Sequence, residues 1–319
     1  MLRRTLLAAA ASERLRQAVT TAPQTRAIVD RYVAGETTAD AVQVAGALRA
    51  AGLLVSLDYL GEDTTDAGQA GDVARTYVRL LGELSAAGLT AGGACEVSVK
   101  ATGVGLFLPE HGKKTATENI ARICAAARDA GTTVTLDAED HTAVGATLSI
   151  AAGLRPEFGD LGCVVQSRLR RSQDDCEQLA SAGARVRLCK GAYDEPADVA
   201  FTRRPDVDLS YTRCLRRLMA GSGYPMVATH DPRLVDIATT LALMSGRPAD
   251  QFEYQMLYGI RPEEQQRLAA TGARVRVYVP YGRDWYGYLV RRLAERPGNL
   301  AFFLRSLAPA QRPRAVRPG

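Results

Sequence analysis

At 319 residues, 46% hydrophobic and 24% charged, the chain has the composition of an ordinary globular protein and the length of one (β/α)8 barrel with extensions. Its net charge of +5 is modest, and basic residues are interleaved with acidic ones, so no stripe suited to nucleic acid is present. Six scattered cysteines without a C-x-x-C pair argue against a zinc ribbon or dithiol motif and fit reduced core thiols of a cytosolic protein; no run of about 20 apolar residues exists, so any membrane contact is peripheral.

Residues 1–50 carry helical spacing punctuated by Pro23 and Gly35, and are expected to form an N-terminal helical arm. The opening MLRRTLLAAAA begins like a signal peptide, but its apolar run is short and meets Ser12, Glu13 and Arg14 instead of a cleavage site, so it reads as the start of a helix. From Gly52 onward, short β-branched runs alternate with amphipathic segments, the pattern of βα units around a parallel sheet. The predicted strands are LLVSLDYLG ending near Asp58, CEVSVKATG ending at Lys100, TTVTLDAED ending at Asp137 and CVVQSRL with Gln166. Then follow RVRLCKGAY with Arg187 and Lys190, PMVATHD with Thr229 and His230, FEYQMLYG with Gln255, and RVRVYVPYG with Tyr278.

Helices are predicted between them at 69–88, 116–130, 142–153, 172–183, 207–220, 231–245 and 261–271, with an eighth starting near Asp284. Eight such pairs fit a closed TIM-type barrel over 51–305 better than an open doubly wound sheet. The tail, 306–319, is basic and proline-rich; it reads as a solvated, disordered end or as a weak contact with anionic lipid.

Each strand run gives way at its C-terminal end to polar or charged residues, the end where barrels build their sites. Two readings of Lys100, Asp137 and Arg187 stay open: a reaction site, or an ion-pair layer closing the barrel. After the last strand, Tyr288, Arg291, Arg292 and Glu295 share one helical face. Spacing alone fits a solvated stripe as well as a bidentate clamp on a small carboxylate, and the position near the barrel mouth favours the clamp. Gly103 and Gly105 lack the third glycine of a dinucleotide fingerprint, and Phe107 stands where a P-loop before Gly112 needs glycine. In the run 137–141, adjacent strand residues point to opposite faces and the chain has only three histidines, so no metal site is expected.

Read in order, VSVKATGVG, TLDAED, VVQSRLRRS, RVRLCKGAYDEP, VATHD, FEYQMLYG and VYVPYG followed by YLVRRLAERPGN resemble the proline dehydrogenase family over about 50–305. One block such as KGAY would be weak; seven in order make the signal specific. The chain has no room for the aldehyde dehydrogenase domain fused to this activity in some bacteria, so the resemblance is to the monofunctional type.

The resemblance implies a distorted barrel holding FAD, oxidation of L-proline to Δ1-pyrroline-5-carboxylate, a membrane quinone as acceptor, and a cytoplasmic protein in peripheral contact with the inner face of the cell membrane. It implies that Arg291 and Arg292 bind the proline carboxylate with help from Lys100, while Tyr278, Leu257 and Tyr288 pack around the ring. Asp137 and Arg187 take active-site positions. Ala138, Gln166, Arg187, the loop Lys190-Gly191-Ala192-Tyr193, Thr229, His230 and Gln255 take flavin positions. Asp194, Asp231 and Arg296 depart from the residues frequent there, which bears on cofactor affinity. A Schiff-base aldolase using Lys100 or Lys190 is the rival reading on the same barrel.

Overall fold

The computed structural model describes residues 29–61 and 64–289. The strands are β1 Leu54–Tyr59, β2 Cys95–Val99, β3 Val134–Leu136, β4 Gly162–Gln166, β5 Arg185–Cys189, β6 Tyr224–Ala228, β7 Glu253–Leu257 and β8 Val275–Tyr281. All eight run parallel in sequential order, and β8 returns to β1 with Ser56 opposite Tyr278, closing the barrel. The expected eight-stranded barrel is therefore present.

The helices are α1 Thr38–Ala50, α2 Ala67–Ala86, α3 Gly112–Asp129, α4 His141–Leu154, α5 Ser172–Ser181, α6 Arg204–Ala220, α7 Pro232–Met244 and α8 Pro262–Ala270. Seven of them, α2 to α8, follow strands and lie close to their predicted spans. The largest difference is at α3, which starts four residues before the expected 116; Gly112 makes this start feasible, because a Cβ there would lie 2.5 Å from the Leu106 carbonyl oxygen. Aspartates in the loops after the strands cap several of these helices. Asp66 accepts from the Gln69 N–H, Asp140 from Thr142 and Asp231 from Arg233. An aspartate at 231 thus has a local structural reason.

Helix α1 packs against β1, β8 and α2, and so covers the seam where the barrel closes. Its capping box, Thr37 with Asp40, fixes where it begins. The segment after β8 goes elsewhere. Residues 285–289 are helical and bury Trp285, Tyr286, Tyr288 and Leu289 with Val29, Tyr32, Val33 and Leu60, where the chain leaves β1. Residues 1–28 and 290–319, including most of the expected arm, the arginine pair and the basic tail, lie outside the described residues.

The apolar core sits between barrel wall and helices. Cys95, Val97 and Val99 of β2 and Val275, Val277 and Val279 of β8 join Leu80, Leu81, Leu84, Ile120 and Ile123 there. Strand periodicity then sends the intervening residues, Glu96 and Ser98 or Arg276 and Tyr278, to the other face. The lumen is consequently polar, in place of the branched apolar layers usual in such barrels. All six cysteines are free, five of them buried. No helix among the described residues is long and apolar enough to cross a membrane.

Candidate active site

The centre of the lumen is Arg187 on β5, 4% exposed. Its Nε donates to Gln255 Oε1 at 2.5 Å, and its Nη1 to Asp137 Oδ1 at 2.6 Å and Ser98 Oγ at 2.8 Å. Its Nη2 reaches Ser56 Oγ at 3.1 Å and Glu96 Oε1 at 3.5 Å. The guanidinium carbon lies 5.2 Å from the centroid of the Tyr278 ring, a cation–π contact. Every N–H of this side chain has an acceptor, and the acceptors come from β1, β2, β3 and β7. One cation therefore ties β5 to four other strands.

Asp137 is shared further. Its Oδ1 also accepts from Ser98 Oγ at 2.8 Å, and its Oδ2 from the Tyr278 hydroxyl at 2.7 Å. Burial first, then the Asp137 carboxylate, push the Tyr278 phenol well above its ordinary range, so the hydroxyl remains a donor to Asp137. Lys100 Nζ lies 3.9 Å from Asp137 Oδ2 and is held at 2.7 and 2.6 Å by the two oxygens of Asp58.

Beneath this cluster lies a second charged layer. Glu253 accepts from Arg276 Nε at 2.6 Å and Nη2 at 3.1 Å, and Glu96 accepts from Arg185 at 3.0 Å. Four carboxylates (Asp58, Glu96, Asp137, Glu253) thus face four cations (Lys100, Arg185, Arg187, Arg276). Such a column tolerates burial because it balances; removing one member leaves an uncompensated charge, at a cost of about 3–5 kcal/mol.

The ion-pair layer that was one of the two readings of Lys100, Asp137 and Arg187 is present: Lys100 and Asp137 stand just past the ends of β2 and β3, and Arg187 reaches Asp137 from the middle of β5. A cavity of about 800 Å³ opens at the opposite, N-terminal face, lined by Arg185, Tyr224, Glu253, Arg274 and Arg276 among others. Lys100 and Asp137 stand at the other, C-terminal face, just past the ends of β2 and β3.

The other candidate residues form a rim. Gln166 donates to the Glu139 carbonyl at 2.6 Å, and Gly191, with φ +95°, passes so close that a Cβ would lie 2.9 Å from Gln166 Oε1. Glu195 accepts from the His141 backbone N–H at 3.0 Å and contacts its Nδ1 at 2.5 Å, which clasps the loop carrying Lys190, Gly191, Ala192 and Tyr193 to the start of α4. Arg168 donates to the Tyr193 carbonyl at 2.8 Å. Lys190 sits between Asp208 at 2.6 Å and Asp231 at 3.2 Å. Arg233 first, and Lys190 after it, hold the Asp231 carboxyl well below the usual carboxylate range.

The Thr229 hydroxyl accepts from the Asp231 N–H at 3.1 Å. His230 Nε2 accepts from the Leu257 N–H at 2.9 Å, which puts the ring proton on Nδ1. Leu257 and half-buried Ala138 stand at the ends of β7 and β3. Tyr288 is buried in the aromatic cluster over the end of β1. Both ends of the Gln255 amide are committed, to Arg187 and to Glu253.

Sequence reasoning missed Ser56, Glu96, Ser98 and Glu253, and gave Asp58 no role. A signal existed: Ser56/Asp58, Glu96/Ser98, Arg185/Arg187, Glu253/Gln255 and Arg276/Tyr278 are each spaced by two, the period of one strand face. Glu139, whose carboxylate accepts from the Thr102 N–H at 3.1 Å and from its hydroxyl, carried no such pattern.

A family model for proline dehydrogenase matches residues 41–305. The proline dehydrogenase of Deinococcus radiodurans is 41% identical over 282 residues, which is 88% of this chain and 90% of that protein. Proline dehydrogenase 1 of Bacillus subtilis strain 168 is 38% identical over 283 residues, 89% of this chain and 91% of that protein. Among solved structures, proline utilization A (PutA) from Bdellovibrio bacteriovorus, inactivated by N-propargylglycine, superposes with a TM-score of 0.79 at 25% identity. That match covers 90% of this chain and 34% of the PutA chain, so the present chain spans about a third of that longer protein. The match of one family model to most of the chain, the likeness to relatives along nearly their whole length and the shared barrel agree: the chain belongs to the proline dehydrogenase family.

Proposed function

We propose that the protein is an FAD-dependent enzyme that oxidises L-proline to Δ1-pyrroline-5-carboxylate and passes the electrons to a quinone. The observation that carries this reading is the interlocked cluster of Lys100 and Asp137, at the C-terminal ends of β2 and β3, with Arg187 and Tyr278 from within β5 and β8, in a chain of this family. Proline presents one carboxylate and one ring amine, so cations beside an apolar and aromatic wall suit it. Arg291 and Arg292 would grip the carboxylate, with Lys100 nearby and Tyr278, Tyr288 and Leu257 around the ring.

The residues on the β4 to β6 side suit a flavin. Gly191 leaves room where a side chain would collide with Gln166, and the hydrogen of the Thr229 hydroxyl has no acceptor among the described residues. Gln166, Lys190, Gly191, Ala192, Tyr193, Thr229 and His230 would hold it, with Ala138 beside them. When bound, the flavin supplies the acceptor for the hydride leaving proline C5. Proline would first lose one ammonium proton to solvent, which frees the nitrogen lone pair to form the C=N bond; the remaining N–H proton would leave afterwards. Arg187 and its carboxylates would supply a fixed field near the reaction. Asp137 holds Arg187 and Tyr278 in register, and is not needed as a base.

The aldolase reading is less well supported, since Lys100 and Lys190 both donate to paired carboxylates whereas a Schiff-base nucleophile must offer a lone pair. A quinone acceptor dissolved in a bilayer would bring the protein to the membrane surface from the cytoplasm, as a peripheral partner.

Steady-state turnover of L-proline with a soluble quinone analogue, with the imine product trapped by an aromatic aminoaldehyde, tests the reaction. Arg291→Met and Arg292→Met should each raise KM for proline by roughly 10- to 100-fold, because one charge-assisted contact is worth about 1.5–3 kcal/mol. Unchanged proline kinetics in both variants would remove the arginines from the site.

A further inference from the structure

Gln255 stands between the reaction layer and the charged layer beneath it. Its Oε1 accepts from Arg187 Nε at 2.5 Å, and its Nε2 donates to Glu253 Oε1 at 2.6 Å. An amide can flip, and the two orientations differ only in which end is donor and which acceptor. An ionised Glu253 accepts only, so the NH2 end must face it and the carbonyl end must face Arg187. The opposite orientation would set two acceptors together on one side and two donors on the other.

Glu253 is itself held. It is fully buried, and Arg276 donates to both of its oxygens, at 2.6 and 3.1 Å. The Tyr224 hydroxyl lies 3.2 Å from Oε2. Burial disfavours its charged form, but Arg276 outweighs this and lowers the carboxyl below its ordinary value. The chain Arg276–Glu253–Gln255–Arg187 is thus polarised in one direction, and each link admits one arrangement of hydrogens.

We propose that Glu253 is a positioning residue for Arg187, acting through Gln255. It touches neither substrate nor cofactor. Its charge selects the Gln255 orientation, and that orientation fixes the rotation of the guanidinium about Nε, which decides where Nη1 meets Asp137. The inference rests on the reading of Arg187 as part of the active site. It assigns the buried acid of β7 a part in the reaction rather than in folding alone.

The test uses Glu253→Gln, Gln255→Leu and their double variant. The first readout is the Nε–H resonance of Arg187 in 15N-edited NMR spectra of the full-length protein, assigned by its loss in Arg187→Lys. It should move and exchange faster with solvent in both single variants. The second readout is proline kinetics, where each single variant should lower kcat roughly tenfold and leave KM within about threefold. The double variant should be no slower than the slower single one, because both changes break the same link.

If Glu253→Gln is too unstable to study, Glu253→Gln with Arg276→Met removes the opposed charge as well, and the same readouts apply. An unmoved Arg187 resonance, a wild-type kcat accompanied by a lower melting temperature, or losses that multiply in the double variant would overturn the proposal. A wild-type protein that does not oxidise proline would sink the reaction assigned above, while the resonance alone would still decide whether Glu253 orients Arg187.

Discussion

Arg187→Met should lower kcat/KM for proline by about 100-fold or more and also destabilise the barrel. Both effects follow from one side chain. The guanidinium offers its donors to Gln255, Asp137, Ser98, Ser56 and Glu96, and methionine replaces none of these bonds. Asp137 and Glu96 are left in the lumen with less countercharge, for which about 3 kcal/mol is the low end of the expected cost. For a barrel of this size that corresponds to a fall in melting temperature of about 4–6 °C.

The catalytic loss comes from the missing fixed field at the reaction layer, where removing a single oriented donor typically costs 10²–10³. Arg187→Lys separates charge from shape. It keeps the positive charge but not the planar fork, so stability should recover in part while most of the activity stays lost. Steady-state kinetics with thermal melts of both variants check this. Full activity in Arg187→Lys would show that charge alone matters at this position.

Glu96 should govern the acid limit of stability. Burial alone would raise its carboxyl, but Arg276, Arg185 and Arg187 outweigh that and hold it at about 2, against an ordinary 4.5. A carboxyl depressed by folding contributes stability above its unfolded value and loses that contribution as pH falls through the folded one. The window therefore runs from pH 4.5 down to about 2, and the contribution is about 3 kcal/mol. Glu96→Gln should be less stable than wild type at neutral pH and show a flatter fall across that window. Urea unfolding at a series of pH values would check it, and parallel curves for the two proteins would exclude Glu96 as the group responsible.

The outer half of the barrel was legible in the sequence because it obeys the simplest rule. Val275, Val277 and Val279 alternate with other residues, and the helices that cover them carry apolar stripes, so both periods were visible. The C-terminal ends were legible too, since Lys100, Asp137 and Arg187 interrupt apolar runs. The depth of the polar column was not. Glu96 and Glu253 sit inside runs that look like ordinary half-exposed strands, and only barrel closure turns the polar face inward, where it must find opposite charges. The seam was equally hidden: α1 covers β1 and β8, while the segment after β8 packs with Leu60 and Tyr32. That exchange depends on contacts between the two ends of the described chain, which no local pattern records. Asp231 shows the reverse case, a departure from the family pattern that has a local cause in capping α7 and pairing with Lys190.

If this barrel brings proline and a flavin together, the visible absorption spectrum of the purified protein shows it most directly. The protein should be yellow, and anaerobic addition of L-proline should bleach the flavin band, with colour restored by a quinone analogue. A colourless protein that cannot be loaded with FAD, or a yellow one whose spectrum L-proline leaves unchanged, would contradict it.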